Sequence, residues 1–295
     1  MLTSLLSFYI ATTLNNEVMK PHSAQLASIS FRNTIIERTK TPIKNPQYIS
    51  PIISARGAIS IDLATGEVLH GQNIHSRMPI ASITKIMTIL IILEENDLEE
   101  VVTVSSNAAN TSGSTMHLRS GEKITVKNLI HGALIGSGND AAVALAEHNA
   151  GSVNNFVAKM NRRSAELGLI NTQFQNPMGF DHPNNYSSPH DIGKLAKFVY
   201  NNDFIKESAK IKNISVRSVN GNHTHRLEST NKLLDGYLNV KGLKTGRTQR
   251  AGLCLVTIVE NKEGDEIITV VLNSPARFKE SKILADWTFR AHKWH

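Results

Sequence analysis

The chain has 295 residues, of which 40% are apolar, so it is long enough for one large domain or two coupled lobes with a sizeable core. Its 32 basic and 25 acidic residues give a formal net charge of +7, which favours anionic surroundings. Aromatic residues make up only 5% of the chain, which argues against the base-stacking surface of a nucleic-acid-binding protein.

The first fifty residues are predicted to precede the main domain. Residues 2–14 form an apolar stretch of signal-sequence length, but no basic residue precedes it. A signal or anchor segment and an ordinary amphipathic helix therefore both stay open. Residues 15–50 are polar and end in a proline-rich stretch, which predicts an extended linker. We accordingly predict an N-terminal segment over residues 1–51 and the main domain over residues 52–295.

Strands are predicted at both ends of the main domain, with helices between them. Period-two and apolar runs predict strands at 58–63, 67–70, 251–260 and 266–273, and a hairpin at 115–126. Helical patterns cover 78–95, 126–135, 140–149, 153–167, a segment that Ser188 caps, and 276–293. This order predicts a sheet that pairs the beginning of the domain with its end. The single cysteine, Cys254, is predicted to be a small buried apolar residue in a strand.

Ser82 and Lys85 stand three residues apart at the start of the most apolar predicted helix. This spacing places both side chains on one helix face. Burial would lower the pKa of the lysine, so that its neutral form could accept the serine proton. A helix-capping role for Ser82, with Lys85 in solvent, is the alternative. The same spacing recurs at 120–123 and 229–232, but neither segment begins a strong helix.

Two further short motifs follow along the chain. Ser137 and Asn139 flank a glycine at a junction between two predicted helices, where they could orient a lysine or a substrate amide, or only cap a helix. Lys244, Thr245 and Gly246 precede the predicted strand at 251–260. A lysine and a hydroxyl group can bind a carboxylate, and the glycine lets a substrate backbone approach closely. An exposed turn at the edge of a strand is the alternative.

These three motifs, in this order and spacing, resemble those of the penicillin-recognising serine enzymes. The flanking sequences narrow the resemblance to the D-alanyl-D-alanine carboxypeptidases, which are low-molecular-mass penicillin-binding proteins. The similar segments lie at 79–88, 137–141, 176–180, 230–234, 244–248 and 251–255. The resemblance covers about residues 55–293. It implies an α/β (α+β) fold of the β-lactamase and D,D-peptidase type, in which helices and an all-helical lobe flank an antiparallel sheet.

The resemblance also implies a role for each motif residue. Ser82 would be the nucleophile and Lys85 its general base, while Ser137 and Asn139 would line the opposite wall of the site. The backbone N–H group of Ser82 would form one half of an oxyanion hole.

The substrate-binding residues follow from the same resemblance. Lys244 and Thr245, with Gly246 beside them, would bind the carboxylate end of the substrate. The backbone N–H group of Arg247 would complete the oxyanion hole, and Arg277 resembles an arginine that assists carboxylate binding. The implied substrate is a peptidoglycan stem peptide ending in D-Ala-D-Ala, and β-lactams would inhibit by acylating Ser82.

The resemblance further implies a location outside the cytoplasmic membrane, with secretion or attachment through the N-terminus and peripheral membrane contact. We expect no cofactor, no metal ion and no nucleic-acid partner. Many relatives carry a second, β-rich domain and a C-terminal anchor, for which this sequence has no room. Some relatives without that domain are D,D-endopeptidases that cut cross-links, and this is the main functional alternative. Arg247 replaces a residue that is usually neutral or aromatic.

A serine β-lactamase and a non-catalytic binding module are the remaining alternatives. A β-lactamase would need a loop glutamate beside its catalytic water, and Glu166 is the acid at a comparable spacing, although its segment has the pattern of a helix end. The sequence has no His-Glu-x-x-His motif, and four histidines at 182, 190, 223 and 225 are predicted to lie in polar loops.

Overall fold

The computed structural model describes residues 41–295. The apolar segment predicted at 2–14 and most of the predicted linker fall outside these residues, so the domain boundary at residue 52 stays a prediction. The described strands are β1 Ile43–Lys44, β2 Gly57–Asp62, β3 Val68–Gln72, β4 Val101–Thr103, β5 Lys123–Thr125, β6 Asn213–Arg217, β7 Thr224–Glu228, β8 Asn239–Thr248, β9 Gly252–Glu260, β10 Glu266–Ser274 and β11 His292–Lys293. The described α-helices are α1 Lys85–Glu95, α2 Ser106–Ala109, α3 Val126–Leu134, α4 Asn139–Ala150, α5 Val153–Glu166, α6 Pro189–Tyr200, α7 Asp203–Ser208 and α8 Arg277–Ala291.

A five-stranded antiparallel sheet in the order β3-β2-β10-β9-β8 forms the centre of the fold. Strand β2 pairs with β10 through the register Ile61↔Ile268 and Ile59↔Val270, so the beginning of the domain is joined to its end. This pairing confirms the predicted topology. Strand β8 lies at one edge, where one side of its backbone is free to face the helical part of the fold.

Both faces of the central sheet are buried, which explains why β9 and β10 are almost continuously apolar. Alternate side chains point to opposite faces. Ile267 and Val271 pack with helix α8 in one apolar cluster. Ile268 and Val270 belong to the larger cluster on the other face, which includes α1 and α6. The fold therefore has three layers, with the sheet between two layers of helices.

Helices α2–α5 form a lobe on the side of α1 that is away from the sheet, and their apolar residues share the larger core. Helices α3, α4 and α5 begin and end within two residues of their predicted bounds. Helix α6 starts as predicted, because the Ser188 side chain accepts a hydrogen bond from the N–H group of Asp191 at 3.2 Å. The predicted fold class is confirmed. Across residues 41–295, no helix combines the length and the apolar character needed to cross a membrane.

One prediction of strand pairing was wrong, and one hairpin was missed. The hairpin predicted at 115–126 does not form, because β5 pairs with β4 and residues 115–118 run as an irregular segment. A second hairpin, β6–β7, was not predicted, since its exposed positions are polar and its buried positions are few. In both cases the partner of a strand depends on the neighbouring lobe, and local periodicity carries no information about it.

Candidate active site

The predicted helix at 78–95 begins later than its sequence pattern suggested. Residues Ala81–Thr84 form a 3-10 turn, and helix α1 starts at Lys85. A 3-10 turn has three residues per turn, so side chains three apart stand directly above one another. Ser82 and Lys85 are therefore aligned, and the Lys85 Nζ atom lies 2.9 Å from the Ser82 Oγ atom.

Lys85 is fully buried, which makes the alternative of a solvated lysine wrong. Its ammonium nitrogen donates to Asn139 Oδ1 at 2.7 Å and to the Met178 carbonyl at 2.9 Å, in addition to contacting Ser82. Burial, and then the charge of Lys244, lower the pKa of Lys85 well below its ordinary value, although Asp140 opposes the shift. This shift favours the neutral amine over what an ordinary lysine would hold.

The second wall of the site comes from the junction between α3 and α4. Ser137 adopts a left-handed backbone conformation, with a φ of 60°, which is unusual for a residue with a side chain. This conformation lets two buried helices meet while the Ser137 and Asn139 side chains both enter the site. The Asn139 amide nitrogen donates to the Ser112 carbonyl at 2.8 Å, so its oxygen is left to accept from Lys85.

A buried carboxylate fixes the segment that contains Ser112. Asp140 accepts hydrogen bonds from the backbone N–H groups of Met116 at 3.0 Å and Leu118 at 3.0 Å. These charge-assisted bonds satisfy the buried carboxylate and hold the irregular segment against α4. No role was predicted for Asp140, because its partners are backbone groups of a segment whose position does not follow from local sequence patterns.

The third wall is strand β8, and here the prediction needs correction. Lys244, Thr245 and Gly246 lie inside the edge strand Asn239–Thr248, whereas they were expected to precede the next strand. The Lys244 Nζ atom is buried and lies 2.9 Å from the Ser137 Oγ atom. Burial, and then the charge of Arg277, lower the pKa of Lys244 to about 7. Lys244 thus connects the strand to the helical wall.

Two hydroxyl groups meet beside Lys244. The Thr245 Oγ1 atom lies 2.6 Å from the Thr230 Oγ1 atom, and Thr230 follows strand β7. Thr230 belongs to a segment whose sequence supported the family resemblance, but no role was predicted for it. The contact orients the Thr245 hydroxyl group, because a hydroxyl proton can point to only one acceptor at a time.

Gly246 allows β8 to lie directly against the turn that carries Ser82. A Cβ atom at Gly246 would lie 2.9 Å from the Ile80 carbonyl oxygen and 3.2 Å from the Ser82 nitrogen. Arg277 supports the same strand, because its Nη1 atom donates to the Gly246 carbonyl at 2.6 Å. The adjacent Arg247 side chain is exposed. All nine predicted site residues therefore lie on the turn before α1, the first residue of α1, the α3–α4 junction, β8 or the first turn of α8.

A fourth segment, at 176–180, completes the site and was missed as a source of functional groups. Asn176 Oδ1 accepts from the Gly179 N–H group at 2.7 Å and from the Phe180 N–H group at 2.9 Å, which closes a tight turn. This turn aims the Met178 carbonyl at Lys85. Gly179 has a φ of 92°, and a Cβ atom there would lie 1.9 Å from the Ala81 carbonyl oxygen. Only glycine fits this close contact.

The site is strongly cationic. Lys85 and Lys244 are buried within it, and Arg277 and Arg247 are close enough to lower the pKa values of their cationic neighbours. Asp140 is the buried acid that opposes them. A serine next to a deprotonatable lysine can carry out acyl transfer, and the surplus positive charge suits a substrate that carries a carboxylate.

Other candidate groups lie away from this arrangement. Glu166 ends helix α5, and its carboxylate pairs with Arg163 at 3.1 Å on the surface. Cys254 is buried in β9 as predicted, and burial raises its thiol pKa to about 11, which disfavours the thiolate.

His225 was predicted wrongly: it is buried in β7 and contacts Glu122 Oε1 at 2.6 Å. The part of the chain that the structure describes has no cluster of three or more His, Cys, Asp or Glu side chains suited to a metal ion.

Known proteins of one family resemble this chain over most of its length. A family model described as D-alanyl-D-alanine carboxypeptidase matches residues 44–276. The D-alanyl-D-alanine carboxypeptidase DacF of Bacillus subtilis is 36% identical over 248 residues, which are 82% of this chain and 64% of that protein. DacC of Escherichia coli is also 36% identical, over 82% of this chain and 62% of that protein. The chain thus spans slightly less than two thirds of these curated relatives.

Solved structures give the same result for the fold. The crystal structure of a Streptomyces D,D-transpeptidase has a TM-score of 0.77 and 31% sequence identity, and the match covers 82% of this chain and 99% of that one. Penicillin-binding protein 5 of Haemophilus influenzae has a TM-score of 0.75 and 33% identity, over 82% of this chain and 72% of that one.

Proposed function

Because this chain belongs to the D-alanyl-D-alanine carboxypeptidase family, we propose that it removes the terminal D-alanine from peptidoglycan stem peptides through an acyl-serine intermediate. The observation that carries the proposal is the 2.9 Å contact between the Ser82 hydroxyl and the buried Lys85 amine. It provides a nucleophile and a base from a single turn of the chain.

The first step is attack on the substrate. Neutral Lys85 accepts the hydroxyl proton while Ser82 Oγ bonds to the carbonyl carbon of the penultimate D-alanine. The backbone N–H groups of Ser82 and Arg247 stabilise the resulting oxyanion. The close approach of Gly246 to the Ser82 nitrogen supports this assignment, since it brings β8 next to the turn that carries the nucleophile.

Substrate orientation comes from the cationic end of the site. The terminal carboxylate binds Lys244 and the Thr245 hydroxyl group, and Arg277 supports this end of the site through the Gly246 carbonyl. The lowered pKa of Lys244, about 7, supports this role, because a bound carboxylate would stabilise the ammonium form that burial disfavours. Lys244 would then recover in the complex the charge that it partly loses in the free protein.

The tetrahedral intermediate collapses when the carbon–nitrogen bond breaks. The proton that Lys85 took from Ser82 passes to the leaving amine of D-alanine. Ser137, whose hydroxyl accepts from Lys244 at 2.9 Å, orients this end of the site. Water then attacks the ester, which returns a proton to Ser82 Oγ and releases the shortened peptide. A β-lactam would acylate Ser82 in the same way, and the ring-opened product would remain attached.

The substrate implies the location. Peptidoglycan stem peptides lie outside the cytoplasmic membrane, so we place the enzyme in an extracytoplasmic compartment, either secreted or associated with the membrane through its N-terminus. The formal net charge of +7 supports an environment of anionic wall or membrane surfaces.

Two related reactions use the same acyl-enzyme. The match to a Streptomyces D,D-transpeptidase along 99% of that chain supports transfer of the acyl group to an amine instead of water. A D,D-endopeptidase would form the acyl-enzyme from a cross-linked stem. In both cases the chemistry at Ser82 and Lys85 is unchanged, and only the leaving group or the acceptor differs.

The deciding experiment is intact-protein mass spectrometry after incubation with benzylpenicillin, with Ser82→Ala as the matched control. Wild type should gain the mass of one penicillin, and the variant should gain none. D-alanine release from a pentapeptide, with and without a D-amino-acid acceptor, then separates hydrolysis from transfer.

Each outcome selects one function. An adduct with D-alanine release in water supports the carboxypeptidase, and release that depends on the acceptor supports the transpeptidase. An adduct with cleavage of cross-linked dimers only would favour the endopeptidase. Rapid turnover of penicillin would favour a β-lactamase. An adduct that persists in Ser82→Ala, or the absence of any adduct, would refute the acyl-serine mechanism.

A further inference from the structure

A second polar cavity lies outside the residues that form the candidate active site. It has a volume of about 700 Å³ and is bounded by hairpin β6–β7 and the irregular segment at 116–119. Three arginines line it, Arg119, Arg217 and Arg226, and all three side chains are exposed. This cavity has no part in the mechanism above.

The hairpin register places two of these cations side by side. Arg217 pairs with Thr224, and Arg226 lies two residues farther along β7, so both arginines project from the same face as diagonal neighbours. The buried residues of β7, such as His225, point to the opposite face. Diagonal neighbours on one face of a hairpin lie about 7–8 Å apart, so an anion between two such cations would reduce their mutual repulsion.

The carboxylate that contacts two lining residues of the cavity, His225 and Arg119, is already engaged. Glu122 is buried, and its carboxylate contacts His225 Nε2 at 2.6 Å and accepts from the Arg119 backbone N–H group at 3.0 Å. Within residues 41–295, no carboxylate lies within 4.0 Å of the guanidinium groups of Arg119, Arg217 or Arg226. Their positive charge is therefore available to a ligand.

We propose that this cavity binds a linear polyanion through closely spaced phosphate groups. The tetrahedral phosphate offers three oxygens that several guanidinium groups can share, whereas a planar carboxylate is satisfied by one arginine. A flexible polymer suits an open cleft with cations on both sides, and its binding would release counterions. A lipid surface is less suitable, because Val219 at the hairpin tip is the one large, exposed apolar side chain close to the cavity among the described residues.

The cavity is connected to the candidate active site without overlapping it. Strand β7 leads to Thr230, which contacts Thr245, and the segment at 116–119 continues back to Ser112, which contacts Asn139. Polymer bound here would hold the protein on an anionic matrix while the site that contains Ser82 stays open. The cavity thus acts as an anchoring site.

The test compares two triple variants with equal changes of net charge. The first replaces the cavity arginines (R119Q, R217Q and R226Q). The control removes three exposed cations elsewhere that also have no carboxylate within ion-pair distance in the described chain (R56Q, K262Q and R290Q). Binding of fluorescein-labelled linear inorganic polyphosphate is measured by anisotropy from about 50 to about 200 mM salt, a range over which polyanion binding weakens strongly.

We expect the cavity variant to lose affinity about tenfold or more and to have a shallower salt dependence, while the control changes by less than about threefold. Equal losses in the two variants would refute a specific site and leave only a net-charge effect. Equal competition by polyglutamate would refute the preference for phosphate. Binding to phosphatidylglycerol vesicles without binding to polyphosphate would instead identify a lipid-facing surface.

Penicillin acylation is measured on the same preparations. It should be equal in all three proteins, because none of the replaced residues contacts Ser82, Lys85 or Lys244. This readout separates the two proposals. Absence of acylation in wild type would refute the peptidase proposal and leave the polyanion result unaffected, whereas loss of acylation only in the cavity variant would refute the separation of the cavity from the candidate active site.

Discussion

Replacement of Gly179 by alanine tests whether the segment at 176–180 positions the Ser82–Lys85 pair. The new Cβ atom would lie 1.9 Å from the Ala81 carbonyl oxygen, and the obstacle is backbone, which cannot rotate away as a side chain would. Restoring an ordinary contact requires a movement of about 1.5 Å. That movement would take the Met178 carbonyl out of hydrogen-bond distance of Lys85.

The expected loss of stability has three parts. The left-handed backbone costs about 1–2 kcal/mol for alanine, the buried carbonyl that loses its partner costs about 1–3 kcal/mol, and the displaced turn adds strain. We therefore expect Gly179→Ala to lower the free energy of unfolding by about 3–5 kcal/mol. A misplacement of about 1 Å next to the reacting groups can lower the rate about a hundredfold, so acylation should fall by about that factor.

Gly264→Ala is a matched control. Gly264 has the same φ of 92°, but a Cβ atom there would have no heavy atom within 4 Å. It should therefore lose only the backbone contribution of about 1–2 kcal/mol and acylate at the wild-type rate. Stability is measured by urea unfolding, and acylation by stopped flow with a fluorescent penicillin. Acylation of Gly179→Ala within threefold of wild type would refute the claim that this segment positions the catalytic pair.

Four other predictions rest on the same contacts. Lys85→Met keeps the side-chain length but removes the base, so the acylation rate measured by stopped flow should fall about 10²–10⁴-fold. A rate near that of wild type would mean that another group accepts the proton. The acylation rate of wild type should rise with pH as Lys85 loses its proton. Because burial lowers the pKa of Lys85, the rate should become constant at a pH below about 10.4, near which an ordinary lysine titrates. Asp140→Asn should move this rise to lower pH, since the carboxylate raises the pKa of Lys85, and a shift to higher pH would contradict the electrostatic assignment. Thr230→Val removes the 2.6 Å contact to Thr245, so KM for a peptide with a free carboxylate should increase severalfold with little change in kcat. The control Thr224→Val, on the exposed face of hairpin β6–β7, should leave both constants unchanged.

The sequence was sufficient wherever a feature depends on neighbouring residues. The three-residue spacing of Ser82 and Lys85 predicted their alignment, and the hydroxyl of Ser188 predicted the start of α6. Apolar runs predicted β9 and β10, because both faces of these strands are covered and almost every position must be buried.

Strand β8 was missed because its central residues do not resemble a strand. Lys244 and Thr245 are polar but buried, and Gly246 is small because the turn that carries Ser82 lies against it. A pattern that expects apolar residues at buried positions therefore fails at this strand. The chemistry of the site is the reason for the departure, since a substrate-binding strand needs a cation and a hydroxyl where an ordinary strand has apolar side chains.

Contacts between groups that are distant in sequence depend on the packing of the whole fold. Local patterns predicted most of the helices, the sheet that joins the two ends of the domain and the apolar helix that begins near Ser82 and Lys85, because these depend on local spacing and on the burial of apolar side chains. The fold class followed from the resemblance to a family. The sequence could not place the Met178 carbonyl on Lys85, the Asp140 carboxylate under the segment at 116–118, or His225 in the core. Such contacts join residues separated by tens of positions, and they form only after the helical lobe has packed against the sheet.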